Sequence, residues 1–325
     1  MKFNKWTLGL AAVGAVSLAS AVRADEAKMS QVQTALSNTT ISGYVSTSIN
    51  WLANRSGDGD SVGEAIPLQN GKQNGFNLDV VKLTIAKPQD DSPWASGYQV
   101  DLLFGPDAVG YNPSANSTGG QNAGGTSSDF AIQQAYVALR TPVGNGIDWK
   151  IGVFNTVVGY ESFDAGSNPN YTRSWGWAAE PTEHTGILAS YKVSDELSLS
   201  AGVANTLFAG INTRNNYNAG QENTGQWDKT VMGSATFTAP SNWGWASGSA
   251  FYVGDVYGFA GGHNGTGGTQ GGNQNNFYAG ATVNSPWKDV TFGAAFDYVQ
   301  NMGGAVFGGS PFHDHANAYI FGLYN

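Results

Sequence analysis

The sequence contains no cysteine and few charged residues, and both scarcities narrow the classes of protein it can represent. Without cysteine there is no disulfide, no catalytic thiolate and no cysteine-ligated metal. Only 12% of the residues are charged, and 15 basic residues stand against 24 acidic ones. This acidic balance argues against nucleic acid as a partner, and the composition is unusual for a cytosolic enzyme.

A long apolar run is also missing after the N-terminal segment. A transmembrane helix needs about 18 or more consecutive apolar residues, and none occurs there. If the chain crosses a membrane, the sequence therefore predicts a β-barrel, because a closed barrel also satisfies every backbone hydrogen bond within lipid.

The first 24 residues have the pattern of a signal peptide. Lys2 and Lys5 precede an uncharged run over residues 6–22, and small residues lead up to Ala24. The run is short for a membrane anchor, so we predict cleavage after Ala24 and export. Residues 25–39 show only weak helical spacing, and we expect them to form a periplasmic leader before a barrel domain over residues 40–325.

Glycine and aromatic residues are abundant, with 45 glycines and 12% aromatics. Membrane barrels use such residues in turns, lumen-facing positions and interfacial girdles. From Thr40 onward, segments of about ten residues alternate between apolar and polar side chains, as barrel strands do. In one of them Trp149 and Ile151 share a face opposite Asp148 and Lys150. The predicted strands cover residues 40–54, 75–87, 97–105, 129–141, 147–154, 183–192, 197–206, 229–239, 245–257, 275–284, 289–300 and 314–324.

The connections between these segments alternate strictly between long and short. The long connections are 55–74, 106–128, 155–182, 207–228, 258–274 and 301–313, and the short ones are 88–96, 142–146, 193–196, 240–244 and 285–288. A sandwich has turns at more even spacing. The alternation instead predicts an all-β fold, a transmembrane antiparallel up-and-down β-barrel of at least 12 strands with long extracellular loops and short periplasmic turns. Five tryptophans near the short turns are expected to form a girdle at that rim: Trp94, Trp149, Trp243, Trp245 and Trp287.

The connection over residues 155–182 differs from the others, because aromatic and charged residues replace the glycine and asparagine found elsewhere. In porins a loop at this place can fold into the lumen and narrow it. The residues expected at this constriction are Tyr160, Glu161, Asp164, Tyr171, Arg173, Glu180, Glu183 and His184. Their charges either set a field for permeating solutes or brace the loop against itself, and both roles can coexist. The expected charges of the lumen wall are Arg140, Asp148, Lys150, Lys192 and Asp297.

Several strings in and around this connection resemble those of the OmpL-like β-barrel porins of Gram-negative outer membranes. They are GYESFD, NPNYTRS and EPTEHTG, together with ISGYV near the first strand and QQAYVALRTPVGNGIDWKIGVF before the connection. The resemblance extends over roughly residues 40 to 324 and implies a porin-like pore, without indicating a substrate. It also implies an outer-membrane location, with lipid and lipopolysaccharide as surroundings and small polar solutes as ligands. A homotrimer is expected by analogy with other porins.

The end of the chain leaves two alternatives open. Outer-membrane barrels usually end in a terminal Phe or Trp, whereas this chain ends in Leu323-Tyr324-Asn325. Either the barrel closes with 12 strands, or further strands follow, which is the alternative slightly favoured.

Two rival functions are weighed against a pore. A structural or adhesive surface barrel would need no open lumen, and a barrel hydrolase would need a nucleophile elbow such as G-x-S-x-G beside His184, which the text around that residue lacks. Metal binding by His313 and His315 or by Asp58 and Asp60 is weakly indicated. We therefore predict a porin that is not an enzyme and has no cofactor and no metal.

Overall fold

The described residues form a single antiparallel sheet in which each inner strand pairs with the strand before and the strand after it in sequence. The computed structural model describes residues 38–50, 75–111, 129–207, 211–212, 229–259, 273–287, 289–302 and 316–324. Twelve strands follow one another from β1 to β12 without a crossover. This order confirms the predicted all-β, antiparallel up-and-down arrangement of at least 12 strands. Within the described residues, β1 and β12 are the two edges of the sheet and do not pair with each other.

Most strands begin and end close to their predicted limits. Their bounds are β1 Thr40–Asn50, β2 Gly75–Lys87, β3 Ser96–Phe104, β4 Phe130–Thr141, β5 Ile147–Asn155, β6 Glu183–Lys192, β7 Leu197–Ala204, β8 Thr230–Thr238, β9 Ala250–Phe259, β10 Asn273–Asn284, β11 Thr291–Met302 and β12 Ala316–Tyr324. Two short helices, α1 at Pro106–Tyr111 and α2 at Trp175–Ala179, lie in long connections. Among the described residues, no helix has the length and apolar character needed to cross a membrane.

The largest departure from the predicted limits occurs at β9, which was expected to begin at residue 245. Residues Ser241–Ala246 instead form a 3-10 turn that follows Pro240, and the strand begins at Ala250. Apolar and aromatic residues of this turn resemble an alternating strand in the sequence. Backbone hydrogen bonds close the turn: the Ala239 N–H donates to the Ser249 carbonyl at 2.7 Å, and the Gly248 N–H donates to the Ala239 carbonyl at 2.9 Å.

The two faces of the sheet differ in chemistry as the alternation predicted. Large apolar side chains point outward, and Ile41, Val45 and Ile49 of β1 are 64–69% exposed. The opposite face of the same strand carries Tyr44 and Ser46, which are less exposed. Outward apolar and inward polar side chains are the reverse of a soluble protein, and they match a sheet that has lipid outside and water inside.

The short connections meet at one end of the sheet, because consecutive strands run in opposite directions. Trp94, Trp243, Trp245 and Trp287 lie in these connections and are 48–73% exposed. Trp149 is the third residue of β5, and its indole N–H donates to the Thr141 hydroxyl at 3.0 Å. The structure thus gathers the five tryptophans near one rim, where a girdle would be.

Candidate functional site

The connection between β5 and β6 is the candidate site, and we call residues 156–182 the constriction segment. Asn155 belongs to β5, so the segment begins one residue later than predicted. Its base is closed by a 3.0 Å hydrogen bond from the Thr156 amide to the Thr182 carbonyl. The next strand supports this closure, because a ring nitrogen of His184 lies 3.1 Å from the Thr156 hydroxyl.

One side of the segment is bound to the first strands of the sheet. The Asp164 carboxylate accepts hydrogen bonds of 2.8 and 3.0 Å from the Lys82 ammonium on β2. It also accepts a 2.8 Å hydrogen bond from the Tyr44 hydroxyl on β1. The Lys82 and Asp164 side chains are only 8% and 7% exposed, so the pair is shielded from solvent. A second acid, Asp101 of β3, lies 3.7 Å from the same ammonium.

Apolar contacts reinforce this attachment. Phe163 is buried in a cluster that contains Val80 of β2, Leu103 of β3 and Ala131 of β4. The neighbouring residue, Asp164, makes the ion pair described above. The segment is therefore held to β1–β4 by two kinds of contact, the apolar packing of Phe163 and the ion pair of Asp164.

The other side of the segment is bound to the last strands of the sheet. Val158 is buried in a cluster with Val256 of β9 and Tyr278 of β10, and Asn276 of β10 donates a 2.9 Å hydrogen bond to the Ala179 carbonyl. The Tyr160 hydroxyl lies directly against Gly293 of β11, where a Cβ would collide with it.

A close approach of this kind also occurs at Gly254 of β9. A Cβ there would lie 2.9 Å from Val158 and 3.2 Å from the Val157 carbonyl oxygen, closer than side chains normally pack. The missing side chain at Gly254 therefore lets the segment backbone lie against the sheet wall.

These two attachments show that the segment lies inside a strongly curved sheet. Tyr160 contacts β11 and Asp164 contacts β1, yet four residues of extended chain span at most about 14 Å. In a flat sheet with strands about 4.8 Å apart, β1 and β11 would be separated by roughly 48 Å. The sheet must therefore curl until its two ends face each other across the segment.

Hydrogen bonds within the segment hold its shape. The buried Arg173 guanidinium, 6% exposed, donates to the carbonyls of Ser162, Tyr171 and Phe163, the first two at 2.7 Å. Because its charge is removed from water, burial lowers the pKa of Arg173, although the nearby Glu161 carboxylate opposes this shift. Of the two roles considered for Arg173, these contacts support bracing of the segment.

A second brace forms at the start of α2. Glu161 accepts hydrogen bonds from the backbone N–H of Ser174, at 3.0 Å, and from its hydroxyl. Ser174 is the N-cap of α2 and accepts from the Trp177 N–H at 3.4 Å, as helix-capping serines commonly do. Glu161 thus fixes the cap that starts the helix.

Two carboxyl groups meet where the segment approaches β11. Glu180 hydrogen-bonds to Asp297, and Glu161 lies close enough to repel it. Burial, followed by the charges of Asp297 and Glu161, raises the pKa of Glu180 well above its usual 4.5. Two adjacent carboxyl groups cannot both ionise cheaply, and a hydrogen bond between them forms only when one of the two is protonated. A shared proton therefore favours the junction between the segment and the wall.

We predict that acidification strengthens this junction. The folded state binds the Glu180 proton more tightly than the unfolded state does, so the contribution to stability is complete below pH 4.5 and is lost as the pH rises through the raised pKa. Thermal unfolding of the folded protein, followed from about pH 4 to pH 8, should therefore show a stabilising component at low pH. Glu180→Gln should remove that component, whereas Glu196→Gln in a short turn should keep it. An unchanged profile in Glu180→Gln would contradict the shared proton.

The structure brings together some of the predicted constriction residues and separates others. Tyr160, Glu161, Asp164, Arg173 and Glu180 all lie within the segment and make the contacts described above. Tyr171 also belongs to the segment but is 41% exposed. The other two, Glu183 and His184, lie in β6 rather than in the segment and are fully buried.

The predicted wall charges divide in the same way. Asp297 meets the segment, and Lys150 lies 4.8 Å from the centre of the Tyr136 ring on the inward face. Near the short turns, Arg140 and Asp148 pair with each other at 2.7 Å. Lys192 pairs with Asp195 at 2.7 Å in an exposed turn, away from the segment.

The sequence reasoning missed the partners on β1–β3. Tyr44 and Lys82 face inward and donate hydrogen bonds to Asp164. Asp101 lies beside the Lys82 ammonium and accepts a 2.7 Å hydrogen bond from the Gln134 amide of β4. A weak signal was present, because Lys82 is the one charged residue in the mostly apolar strand sequence VVKLTIA. In a barrel strand such a residue indicates the lumen face.

Metal binding gains no support from the described part of the chain. Among the residues described, no three His, Asp or Glu side chains are grouped as a metal site requires. The pairs considered in the sequence, His313 with His315 and Asp58 with Asp60, lie outside those residues.

A 12-stranded up-and-down sheet with an apolar outer face, curled around an inward segment, defines the class of β-barrel channel proteins. Comparison with known proteins adds the family. The profile of the family described as "Putative beta-barrel porin-2, OmpL-like" matches residues 38–324, and the chain belongs to that family. This membership confirms the resemblance seen in the sequence and supports, in broad terms, a channel function and an outer-membrane location.

Among solved structures, the chain is similar to the outer membrane channel DcaP of Acinetobacter baumannii. The identity is 12% and the TM-score 0.43, and the match covers 82% of this chain but 64% of that one. The chain thus spans less than two thirds of the length of that channel. No curated protein matches the sequence.

Proposed function

We propose that this protein forms a water-filled channel in the outer membrane through which small polar solutes diffuse passively, with the constriction segment as its filter. The observation that carries the proposal is the attachment of one short segment to both ends of the sheet, through Asp164 on β1–β2 and through Tyr160 on β11. A segment held in this way lies across the interior, where any solute must pass it.

The charges around the segment favour cations and neutral solutes over anions. Lys82 is paired with Asp164 and Arg173 with backbone carbonyls, so both cations are largely compensated. Glu161, whose carboxylate accepts hydrogen bonds from Ser174, lines the side that faces β8–β10. A fixed acidic group in a narrow lumen raises the local concentration of cations.

The same proposal covers how the chain is processed and placed. Residues 1–24 are removed as a signal peptide, residues 25–39 form a periplasmic leader, and residues 40–325 form the porin domain. The short turns face the periplasm and the long connections face outward, as in other up-and-down barrels. Assembly into a homotrimer, proposed by analogy with other porins, is tested by the mass of the detergent-solubilised complex.

The decisive experiment is single-channel recording of the mature protein, residues 25–325, in planar bilayers under a salt gradient. We predict that Glu161→Gln lowers the cation-to-anion permeability ratio by about threefold to fivefold, because a unit charge at about 4 Å contributes about 1 kcal/mol in water. Glutamine still accepts the hydrogen bonds from Ser174, so the segment should stay in place. The reversal potential measures this change.

The matched control is Asp195→Asn, which removes the same charge from a 90% exposed side chain in a short turn. It should leave the reversal potential unchanged. Equal shifts in both variants would show that Glu161 has no special place in the pathway. A folded and inserted protein that never conducts would contradict the channel and favour the surface or hydrolase alternative.

A further inference from the structure

A cavity of about 300 Å³ lies between the constriction segment and strands β8–β10. The segment contributes residues 156–163 and the region of α2, and the wall contributes Ser234, Tyr252, Tyr278 and Thr282. Its volume is at the lower end of the range of small-molecule sites, about 300–1,000 Å³. A single small ring fits a space of this size better than a chain of several rings.

Aromatic side chains surround the cavity on both sides. Tyr160 and Trp177 come from the segment, and Tyr252 and Tyr278 come from the wall. On β9 and β10, Tyr252 is paired with Gly280 and Tyr278 with Gly254. The two tyrosines are therefore diagonal neighbours on the inward face, close enough to act together. Aromatic rings grouped in this way offer flat apolar surfaces to a ligand.

Two buried polar groups belong to the residues that line the cavity and have no hydrogen-bond partner in the structure. They are the Gln133 side-chain carbonyl and the Tyr278 hydroxyl. The two residues are 2% and 3% exposed. Buried polar groups in folded proteins nearly always have a partner, either protein or water, so these two are the positions where a hydroxyl-bearing molecule in the cavity would form hydrogen bonds.

The charge of the lining restricts what that molecule can be. Among the described residues that line the cavity there is no lysine or arginine, and the only acidic residues are Glu161 and Glu180. Glu161 already accepts two hydrogen bonds from Ser174, and Glu180 hydrogen-bonds to Asp297. An anion would meet no positive charge here, and both acids already have partners within the protein.

We infer that the cavity is a transient subsite for a neutral ring-shaped sugar, which stacks on Tyr252 while its hydroxyls bond to Gln133 and Tyr278. The inference rests on the proposed channel function, and it names the class of solute that is slowed at the filter. Aromatic surfaces suit the C–H faces of a sugar ring, and amide and hydroxyl groups suit its rim. A solute held in this way passes by repeated short binding rather than by free diffusion alone.

The test is single-channel recording of the full mature chain with D-glucose, D-sorbitol or D-glucosamine added. Glucose should interrupt the current, whereas sorbitol, an open-chain polyol of nearly the same size, should do so much less. Tyr252→Leu should shorten the glucose-induced interruptions by about threefold to tenfold, the range expected for the loss of an aromatic contact. Tyr136→Leu changes an inward tyrosine of β4 that does not line the cavity, and it should leave the interruptions as in the unmodified channel.

The outcomes distinguish a failure of the subsite from a failure of the channel function. Equal effects of glucose and sorbitol in an open channel would overturn the subsite and leave the porin standing. A much stronger effect of glucosamine would show that the subsite prefers a cationic sugar, and it would overturn the inference. If the protein does not conduct, glucose is titrated against tryptophan fluorescence in detergent. A saturable change that is lost in Trp177→Phe would support the subsite, and no change would overturn it.

Discussion

Replacing Arg173 by alanine is expected to release the constriction segment and to raise the single-channel conductance by roughly a factor of two, because a filter that no longer crosses the lumen no longer narrows it. The guanidinium donates to three carbonyls of the segment, those of Ser162, Phe163 and Tyr171. The Ser162 carbonyl keeps a 2.7 Å hydrogen bond from the Asn168 amide. A carbonyl that stays buried after losing its donor costs about 1–3 kcal/mol. The segment regains those hydrogen bonds by opening toward water, so the loss of Arg173 favours the open arrangement.

The matched comparison is Arg140→Ala, which removes an arginine that pairs with Asp148 near the short turns. We expect little change in conductance there, since that pair makes no contact with the segment. Limited proteolysis provides a second readout, because an opened segment becomes a substrate for cleavage near Tyr171. If Arg173→Ala conducts like the unmodified channel and resists proteolysis equally, the bracing role is wrong.

Replacing Lys82 by methionine is the second change with a large expected effect. It removes the partner of Asp164 and leaves two acidic groups, Asp164 and Asp101, near each other without the ammonium between them. Loss of one member of a buried ion pair typically costs about 3–5 kcal/mol. We expect a fall of this size in the free energy of unfolding, measured by urea titration in lipid vesicles, together with a noisier open-channel current.

A double-mutant cycle separates the ion pair from other effects of the substitution. Adding Asp164→Asn to Lys82→Met should recover part of the lost stability, because the remaining acid no longer lacks a partner. The coupling between neighbouring groups of this kind is about 0.5–3 kcal/mol. Lys192→Met serves as the control, since its partner Asp195 is almost fully exposed. Additive effects of Lys82→Met and Asp164→Asn would show that the pair does not hold the segment.

The two changes act on different parts of the same filter. Arg173 determines the internal shape of the segment, and Lys82 determines where that shape is attached. If both predictions are right, the first change opens the segment while its Asp164 anchor is intact. The second change keeps the segment folded but removes its ionic attachment to β2. Proteolysis near Tyr171 should therefore increase more for Arg173→Ala than for Lys82→Met.

The sequence by itself determined the strands and their order. Alternating side chains require a strand to present one face to each side of a sheet, and Trp149 and Lys150 illustrate the rule within one strand. The alternation of long and short connections then determined an up-and-down order, because a short turn can join only antiparallel neighbours. The aromatic and charged composition of the connection between β5 and β6 also identified the constriction segment from local sequence alone. All of these signals lie within a few residues of one another.

Only the tertiary structure decided which side chains meet. Lys82 and Asp164 are 82 positions apart, and their contact depends on the register of several strand pairs and on the curvature of the sheet. The same curvature brings Glu180 to Asp297 and places Gly293 beneath Tyr160. Arg173 illustrates the limit most clearly, since its partners are backbone carbonyls that any residue could supply. The sequence shows the donor, Arg173, whereas its three carbonyl acceptors come together only when the segment has folded.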